Sequence, residues 1–446
     1  MHIFSNVSNS RTSLLIKNVI ASFVVKGWAA VVVLLMVPLT LKCLGAYQNG
    51  VWLTISSLLV WIDQMDIGLG NGLRNQLATC MAHGESEKAR SIVSSTMAML
   101  AVIMLPILIA VCILIWFGDV YSWLNVNPNI IPELRLALLT AVVLVCMTFV
   151  LKFIGNVYMG MQLPSVSNLF VAAGQTLAMI LTWGLYLCGN ATFILVVAIN
   201  TAAPLVIYLL AYPYTFFKKF SFLRPSLKFI DIHSVMSLGS VGIKFFWLQV
   251  ASLLQFMTSN ILISRFFSPE MVTPYQITYR YMSIMMAVFS VVCMPFWNAT
   301  TDAYERGDME WIRKASSKLH IFMLLIALAL VVMTLVSPFV YSLWIGEDCY
   351  VPFGMTAMMA IYVFQLIFSM RYSYFLNGVG ALRMQLYLTI SAIIFIPAAW
   401  AASTLTHNIM WFLAVMLICN MPGIICNVIQ FNKILNGTAT GIWRIR

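Results

Sequence analysis

The sequence predicts an all-α polytopic membrane protein with twelve transmembrane helices in two parallel six-helix lobes. Three observations carry that expectation. The 446 residues are 62% hydrophobic and only 9% charged, whereas soluble domains carry about a quarter charged residues. The apolar runs are continuous and lack the weak alternation of a membrane barrel, so the spans are helices. A charged seven-residue stretch also recurs at half the chain length.

Read between their Pro and Gly breaks, the apolar runs place helices near 18–42, 51–75, 93–117, 133–157, 165–188 and 191–216. The second set falls near 233–265, 273–300, 319–345, 351–376, 384–404 and 408–431. About 20 helical residues cross a bilayer, so each run is long enough. The lobes are therefore expected over 1–217 and 233–446, joined by a cytoplasmic linker at 218–232. The stretch MHIFSNVSNSRTSLLIKN has no small-residue cleavage site after a short apolar core. It reads as the lead-in to the first helix and not as a cleaved signal.

Charge gives the orientation. Lys and Arg collect in alternate connections: Arg11 and Lys17, Lys88 and Arg90, then Lys218, Lys219, Arg224 and Lys228. The series continues with Arg306, Arg313, Lys314 and Lys318, then Arg383, and ends with Lys433, Arg444 and Arg446. The opposite connections hold Asp119, Glu133, Glu270, Glu347 and Asp348. The positive-inside rule then puts both termini in the cytoplasm. The net charge of +11 is spread without a dense basic run, which argues against a nucleic-acid partner. Nine scattered cysteines, with no C-x-x-C and no His at metal spacing, read as apolar filler. No metal or organic cofactor is expected. The opposite-side connections are short, the longest about 118–132, which leaves little room for an external catalytic loop.

GESEKAR at 84–90 and GDMEWIR at 307–313 share Gly, acid, any, Glu, any, any, Arg, and 307 − 84 = 223 is half of 446. Lys42 maps on Arg265 at the same offset, and VYSW at 120–123 falls three residues from it against VYSL at 340–343. Both loops lie on one side, so the halves are parallel repeats. Such repeats place a substrate path between them and work by rocking.

An ionisable group in a bilayer core costs about 2.5–3.5 kcal/mol even on lenient scales. Yet Lys26, Lys152, Lys244, Arg280 and Arg371 all fall inside spans. Polar stripes accompany four of them: Asn18–Ser22–Lys26, Thr148–Lys152–Asn156, Ser240–Lys244–Trp247 and Thr273–Gln276–Arg280–Ser283. Arg371 has no stripe and reads as a snorkelling anchor. The alternatives are structural ion pairs or a cationic, water-filled cavity that takes an anion. Asp63 and Asp66, at i and i+3, are the only acids within spans. They suit either a coupling H⁺ or Na⁺ or a counter-ion role. Gly68, Gly70 and Gly72, just before Arg74, are expected to bend that helix. Trp247, beside Lys244, is the aromatic best placed to stack on a sugar, while tryptophans near span ends suit an interfacial belt.

VPLTLKCLGAYQNGVWLTISSLL, DIGLGNGLRNQLA and GESEKAR together resemble the polysaccharide transport family of the multidrug/oligosaccharidyl-lipid/polysaccharide (MOP) exporter superfamily. Within it the sequence is most similar to Wzx-type O-antigen flippases. The residues concerned are Pro38, Leu44, Gly45, Gly50, Asp66, Gly68, Gly70 and Arg74, all in the first hundred. The resemblance implies a bacterial inner-membrane flippase with a cavity between two six-helix lobes. It implies translocation of undecaprenyl-pyrophosphate-linked oligosaccharide to the periplasmic leaflet, coupled to an ion gradient. Polysaccharide polymerase and chain-length machinery are the expected protein partners. Lys26, Lys152, Lys244, Arg280 and Trp247 would then hold the substrate. The rivals are a cation-coupled drug exporter of the same superfamily and a membrane glycan polymerase or ligase. The first calls for cavity acids and the second for a long outward loop.

Overall fold

The computed structural model describes residues 2–63, 69–231, 258–379, 381 and 383–443, and every regular element among them is helical. The chain forms two compact units, Met1–Phe246 and Trp247–Arg446. Their division falls inside the run read as a span over 233–265, much of which lies outside the described residues.

The first unit contains α1 (His2–Asp63), α2 (Leu69–His83), α3 (Ser86–Phe117), α4 (Val120–Leu124), α5 (Leu134–Leu151), α6 (Phe153–Gly160), α7 (Pro164–Leu187) and α8 (Phe193–Pro213). At 62 residues α1 is far longer than a bilayer is thick. It is two helices joined at Gly45, whose φ of 69° and ψ of 170° suit a residue without a Cβ. The turn read between the first two spans thus shrinks to a single residue. The helix also starts at His2, well before the expected 18.

The core of this unit is aromatic and aliphatic, with Phe149, Phe153, Tyr158 and Phe216 fully buried. Phe153 and Phe216 stack with centroids 5.8 Å apart. Gly160 lets α6 lie close on α2, since a Cβ there would meet Leu77 Cδ2 at 3.0 Å and the Arg74 carbonyl at 3.1 Å. Large apolar side chains such as Phe117 and Leu187 cover the outside. Eight described helices are long and apolar enough to cross a membrane, α1 counting once.

After α8 the chain makes a π turn at Tyr214–Lys219 and 3-10 turns at Ser221–Leu223 and Leu227–Phe229. This stretch, read as a linker, is strapped to α3. Ser226 N donates to Ser94 Oγ at 3.1 Å, Asp231 N to Ser95 Oγ at 2.7 Å, and Arg90 Nε to the Arg224 carbonyl at 2.9 Å.

The second unit holds α9 (258–266), α10 (Pro269–Glu305), α11 (Met309–Trp344), α12 (Phe353–Gly378), α13 (Arg383–Thr406) and α14 (Ile409–Leu435). Helix α12 packs against α10, α11 and α14. The repeated loop is reproduced in detail. Gly84 and Gly307 have φ of 74° and 75°. The next residues, Glu85 and Asp308, sit at −81°, 67° and −81°, 71°. Glu85 N donates to the Cys80 carbonyl and Asp308 N to that of Ala303, and 80 + 223 = 303. The VYSW and VYSL stretches differ, however. The first forms α4 beyond a break at Gly118, while the second lies inside continuous α11.

Candidate functional site

Helices α1, α5, α7 and α8 of the first unit line an open cavity of about 530 Å³. Trp52 and Ser56 come from α1, Thr148 and Lys152 from the end of α5, Gln175 from α7 and Asn200 from α8. The sequence explains the opening at Lys152. Helix α5 stops at Leu151, α6 starts at Phe153, and Lys152 occupies the turn between them. Its backbone N still donates to the Thr148 carbonyl at 2.8 Å, so the side chains of 148 and 152 share a wall. The expected stripe ends there, because the break rotates Asn156 away from the lining. Lys152 Nζ lies 4.9 Å from the Phe149 ring centroid, a contact that helps hold an ammonium in apolar surroundings.

The remaining polar groups have a common chemistry. Ser56 Oγ donates to the Leu53 carbonyl at 2.9 Å, and Thr148 Oγ1 donates to that of Leu144 at 2.8 Å. Asn200 Nδ2 donates to the Val196 carbonyl at 2.8 Å. The two hydroxyl protons are spent on their own helices and the Asn200 amide donates to Val196 and to Thr182 of α7, which leaves oxygen lone pairs for the cavity. Gln175 Oε1 is buried with no partner. The cavity therefore offers several acceptors, one ammonium and the nearly buried Trp52 indole. Among the described residues no acid lines it. Hydroxyl-rich anions match this set: their hydroxyls donate to the acceptors, their charge meets Lys152, and a sugar face covers an indole.

None of the other described sequence-derived residues lines this cavity. Lys26 is exposed on α1 and does not line the cavity. Two residues on, Trp28 Nε1 donates to Thr176 Oγ1 at 2.9 Å, joining α1 to α7. Arg280 is half-buried on α10 in the second unit. There Gln276, from its expected stripe, donates to Asn260 Oδ1 at 2.7 Å. Asp63 closes α1, with its side chain outside the description. Asp66, Gly68, Lys244 and Trp247 lie outside the described residues. Gly70 and Gly72 lie in the first turn of α2, next to residues outside the description, and Arg74 is exposed.

Sequence reasoning missed Gln175 and Asn200. Each is a lone amide in a long apolar run, GQTLAMIL and VVAINTAAPL, and stripe counting passes over single polar residues. A search for any amide inside a span would have found both.

Comparison with known proteins places the fold. No protein-family model matches the sequence. A Yersinia pseudotuberculosis protein provisionally named for O-antigen export is 22% identical over 363 residues, covering 78% of this chain and 79% of that protein. A solved multidrug-resistance MATE transporter of the MOP superfamily superposes with a TM-score of 0.78 at 14% identity, covering 92% of this chain and 96% of that one. A MOP-superfamily transporter from Pyrococcus furiosus, described as having a binding pocket of reversed polarity, gives 0.56 at 15% identity, covering 94% and 97%. The chain thus has the fold of MOP-superfamily transporters.

Proposed function

We propose that this chain is a membrane exporter and not an enzyme, and that it moves an anionic, lipid-linked saccharide across the bilayer. The observation that carries the reading is the cavity of the first unit: one lysine, a row of acceptor oxygens, an indole and no described acid. A cationic drug would meet Lys152 as a like charge, which disfavours the drug-exporter reading. The O-antigen name of the Yersinia relative agrees with a glycan substrate. The finer reading is an undecaprenyl-pyrophosphate-linked oligosaccharide carried from the cytoplasmic to the periplasmic leaflet of a bacterial inner membrane. Lys152 would meet pyrophosphate or acidic sugar, and Gln175, Asn200 and Trp52 would hold the neutral rings. Lys26, Lys244, Arg280 and Trp247 would be further substrate contacts. Asp63 and Asp66 would take a coupling H⁺ or Na⁺ or serve as counter-ions.

The test is a leaflet assay in proteoliposomes containing a fluorescent undecaprenyl-pyrophosphate glycan. Lys152→Gln is expected to lower the translocation rate by about tenfold or more, and Lys152→Arg to retain most of it. Equal rates for native protein and Lys152→Gln would sink the role of the cavity. Efflux of cationic dyes without glycan movement would establish the drug exporter instead.

A further inference from the structure

The sequence reading made Arg371 a snorkelling side chain, but its guanidinium turns onto its neighbours in the second unit. Nη1 donates to His320 Nδ1 at 2.7 Å and more weakly to the Tyr372 hydroxyl at 3.4 Å. Nη2 donates to Ser316 Oγ at 2.9 Å. Nε is buried with no partner. The guanidinium carbon lies 4.8 Å from the Tyr372 ring centroid. Among the described residues no carboxylate pairs with it. A helix interior thus holds a fixed positive charge met only by neutral groups, an arrangement that leaves much of its desolvation cost uncompensated.

Each of those neutral groups keeps a donor in reserve. Arginine has no lone pair to offer, so His320 accepts on a bare Nδ1 and carries its proton on Nε2. Ser316 and Tyr372 also accept, and neither hydroxyl proton is used among the described residues. The cluster therefore presents a positive charge, the idle Nε–H, two hydroxyl protons and an imidazole N–H. It has no acidic acceptor. This is the coordination an oxyanion satisfies, through charge-assisted bonds stronger than those between neutral partners. The cluster is also within reach, since His320 is exposed and Arg371 and Ser316 are half-buried.

Position narrows the ligand. His320 is 320 − 309 = 11 residues into α11, and Arg371 is 378 − 371 = 7 residues from the end of α12. At 1.5 Å per residue they lie roughly 10–16 Å from those helix ends. The same helix ends and connections carry Arg306, Arg313, Lys314, Lys318 and Arg383. A phosphate headgroup held beside such basic helix ends keeps its tail in the hydrocarbon.

We propose that Arg371, His320, Ser316 and Tyr372 form a binding site for a phosphate-class oxyanion. Its source is either the headgroup of an anionic bilayer lipid or the pyrophosphate of a lipid-linked sugar. The site shares no residue with the saccharide cavity and does not depend on the transport reading, because binding, not translocation, reveals it.

The test uses the full chain in phosphatidylcholine nanodiscs, titrated with phosphatidylglycerol in one arm and undecaprenyl pyrophosphate in the other. Arg371→Gln is expected to weaken binding at least about tenfold in one or both arms, and Arg371→Lys to recover part of the loss. Lys88→Gln, an exposed basic residue of the first unit, is expected to stay within about twofold. The arm that responds identifies the source, and a response in both means that the phosphate alone is recognised. Equal affinity of native protein and Arg371→Gln in both arms, with matching thermal melts, overturns the proposal. If Arg371→Gln does not fold, the pair Ser316→Ala and His320→Gln replaces it. Undiminished binding by both of those variants overturns the proposal as well.

Discussion

The two units share a loop and differ in where they keep a charge. The turns after Cys80 and after Ala303 have the same backbone angles and the same backbone hydrogen bonds, residue for residue, while only Asp308 adds a side-chain cap, to Trp311 N. Each repeat also ends in an arginine that holds the chain emerging from the last helix of its own unit. Arg90 donates to the Arg224 carbonyl, and Arg313 Nη2 donates to Asn436 Oδ1 at 3.0 Å and the Leu435 carbonyl at 3.3 Å. The charged sites show no such copying. Because 371 − 223 = 148, Arg371 in the second unit stands where Thr148 lines the cavity of the first. The first unit's cation, Lys152, is one turn further on, where the second unit has Phe375. Lys152 shares its cavity with acceptor oxygens, and Arg371 donates to groups that keep protons of their own. Loop geometry needs a glycine at the left-handed position and tolerates little change there, while a ligand-facing wall can change one side chain at a time.

The largest expected effect tests that chemical difference. Lys152→Gln should weaken binding of a charged saccharide by roughly 2 kcal/mol, about thirtyfold, and leave phosphatidylglycerol binding unchanged. Arg371→Gln should do the reverse for the simple phosphate lipid. If both variants lose both ligands equally, the contrast between the units is wrong.

The helix break comes next. Gly45→Ala forces a side chain into a region reserved for glycine and should cost about 2 kcal/mol in detergent thermal unfolding. The corresponding break in the second unit, at Phe267–Ser268, has no left-handed residue. Ser268→Ala there should cost only about 1 kcal/mol, for the lost hydrogen bond to Met271 N.

The copied turns should answer alike. Gly84→Ala and Gly307→Ala are each expected to cost about 1 kcal/mol for a left-handed alanine. A large difference between their melting shifts would show that the two loops carry different loads. Arg90→Gln and Arg313→Gln should each raise hydrogen exchange locally, in 221–231 for the first and in 436–443 for the second.

The smallest effect is the exposed pair Glu85–Lys88, 3.0 Å apart. Hydrogen bonding to Lys88 and its charge hold the Glu85 carboxyl below its ordinary value, and the same contacts raise Lys88. A depressed carboxyl stabilises the fold above its ordinary value of 4.5 and loses that contribution as pH falls through the lowered one. The raised lysine contributes fully below 10.5 and loses its share above it. Full exposure makes the amount small, so Glu85→Gln should leave the melting temperature at pH 7 within about one degree. Glu310→Gln, which breaks the 2.7 Å pair with Lys314, should behave the same.

Much of the fold was legible because it rests on composition and period. Long apolar runs, a duplicated loop and glycines at turns read directly, and the likeness to MOP transporters bears out the fold read from the chain. The candidate sites were legible only in part. Thr148 and Lys152 stood out as an i, i+4 pair, but the break at Lys152 that separates them from Asn156 had no mark in a run as apolar as VLVCMTFVLKFIGN. Gln175, Asn200 and Trp52 come from helices far apart in sequence, and Arg371 looked solitary because His320 and Ser316 lie about fifty residues earlier.

By itself the sequence determined that the chain is helical, multi-pass and built from a repeat. These follow from a bilayer that tolerates only internally hydrogen-bonded, apolar segments and from a loop copied intact. Only the tertiary structure decided which buried charges have which company. Four helices line the cavity that holds Lys152, and two bring His320, Ser316 and Tyr372 to accept from Arg371. That sorting depends on how each helix is rotated and where it breaks, and neither is written in any one stretch of the chain.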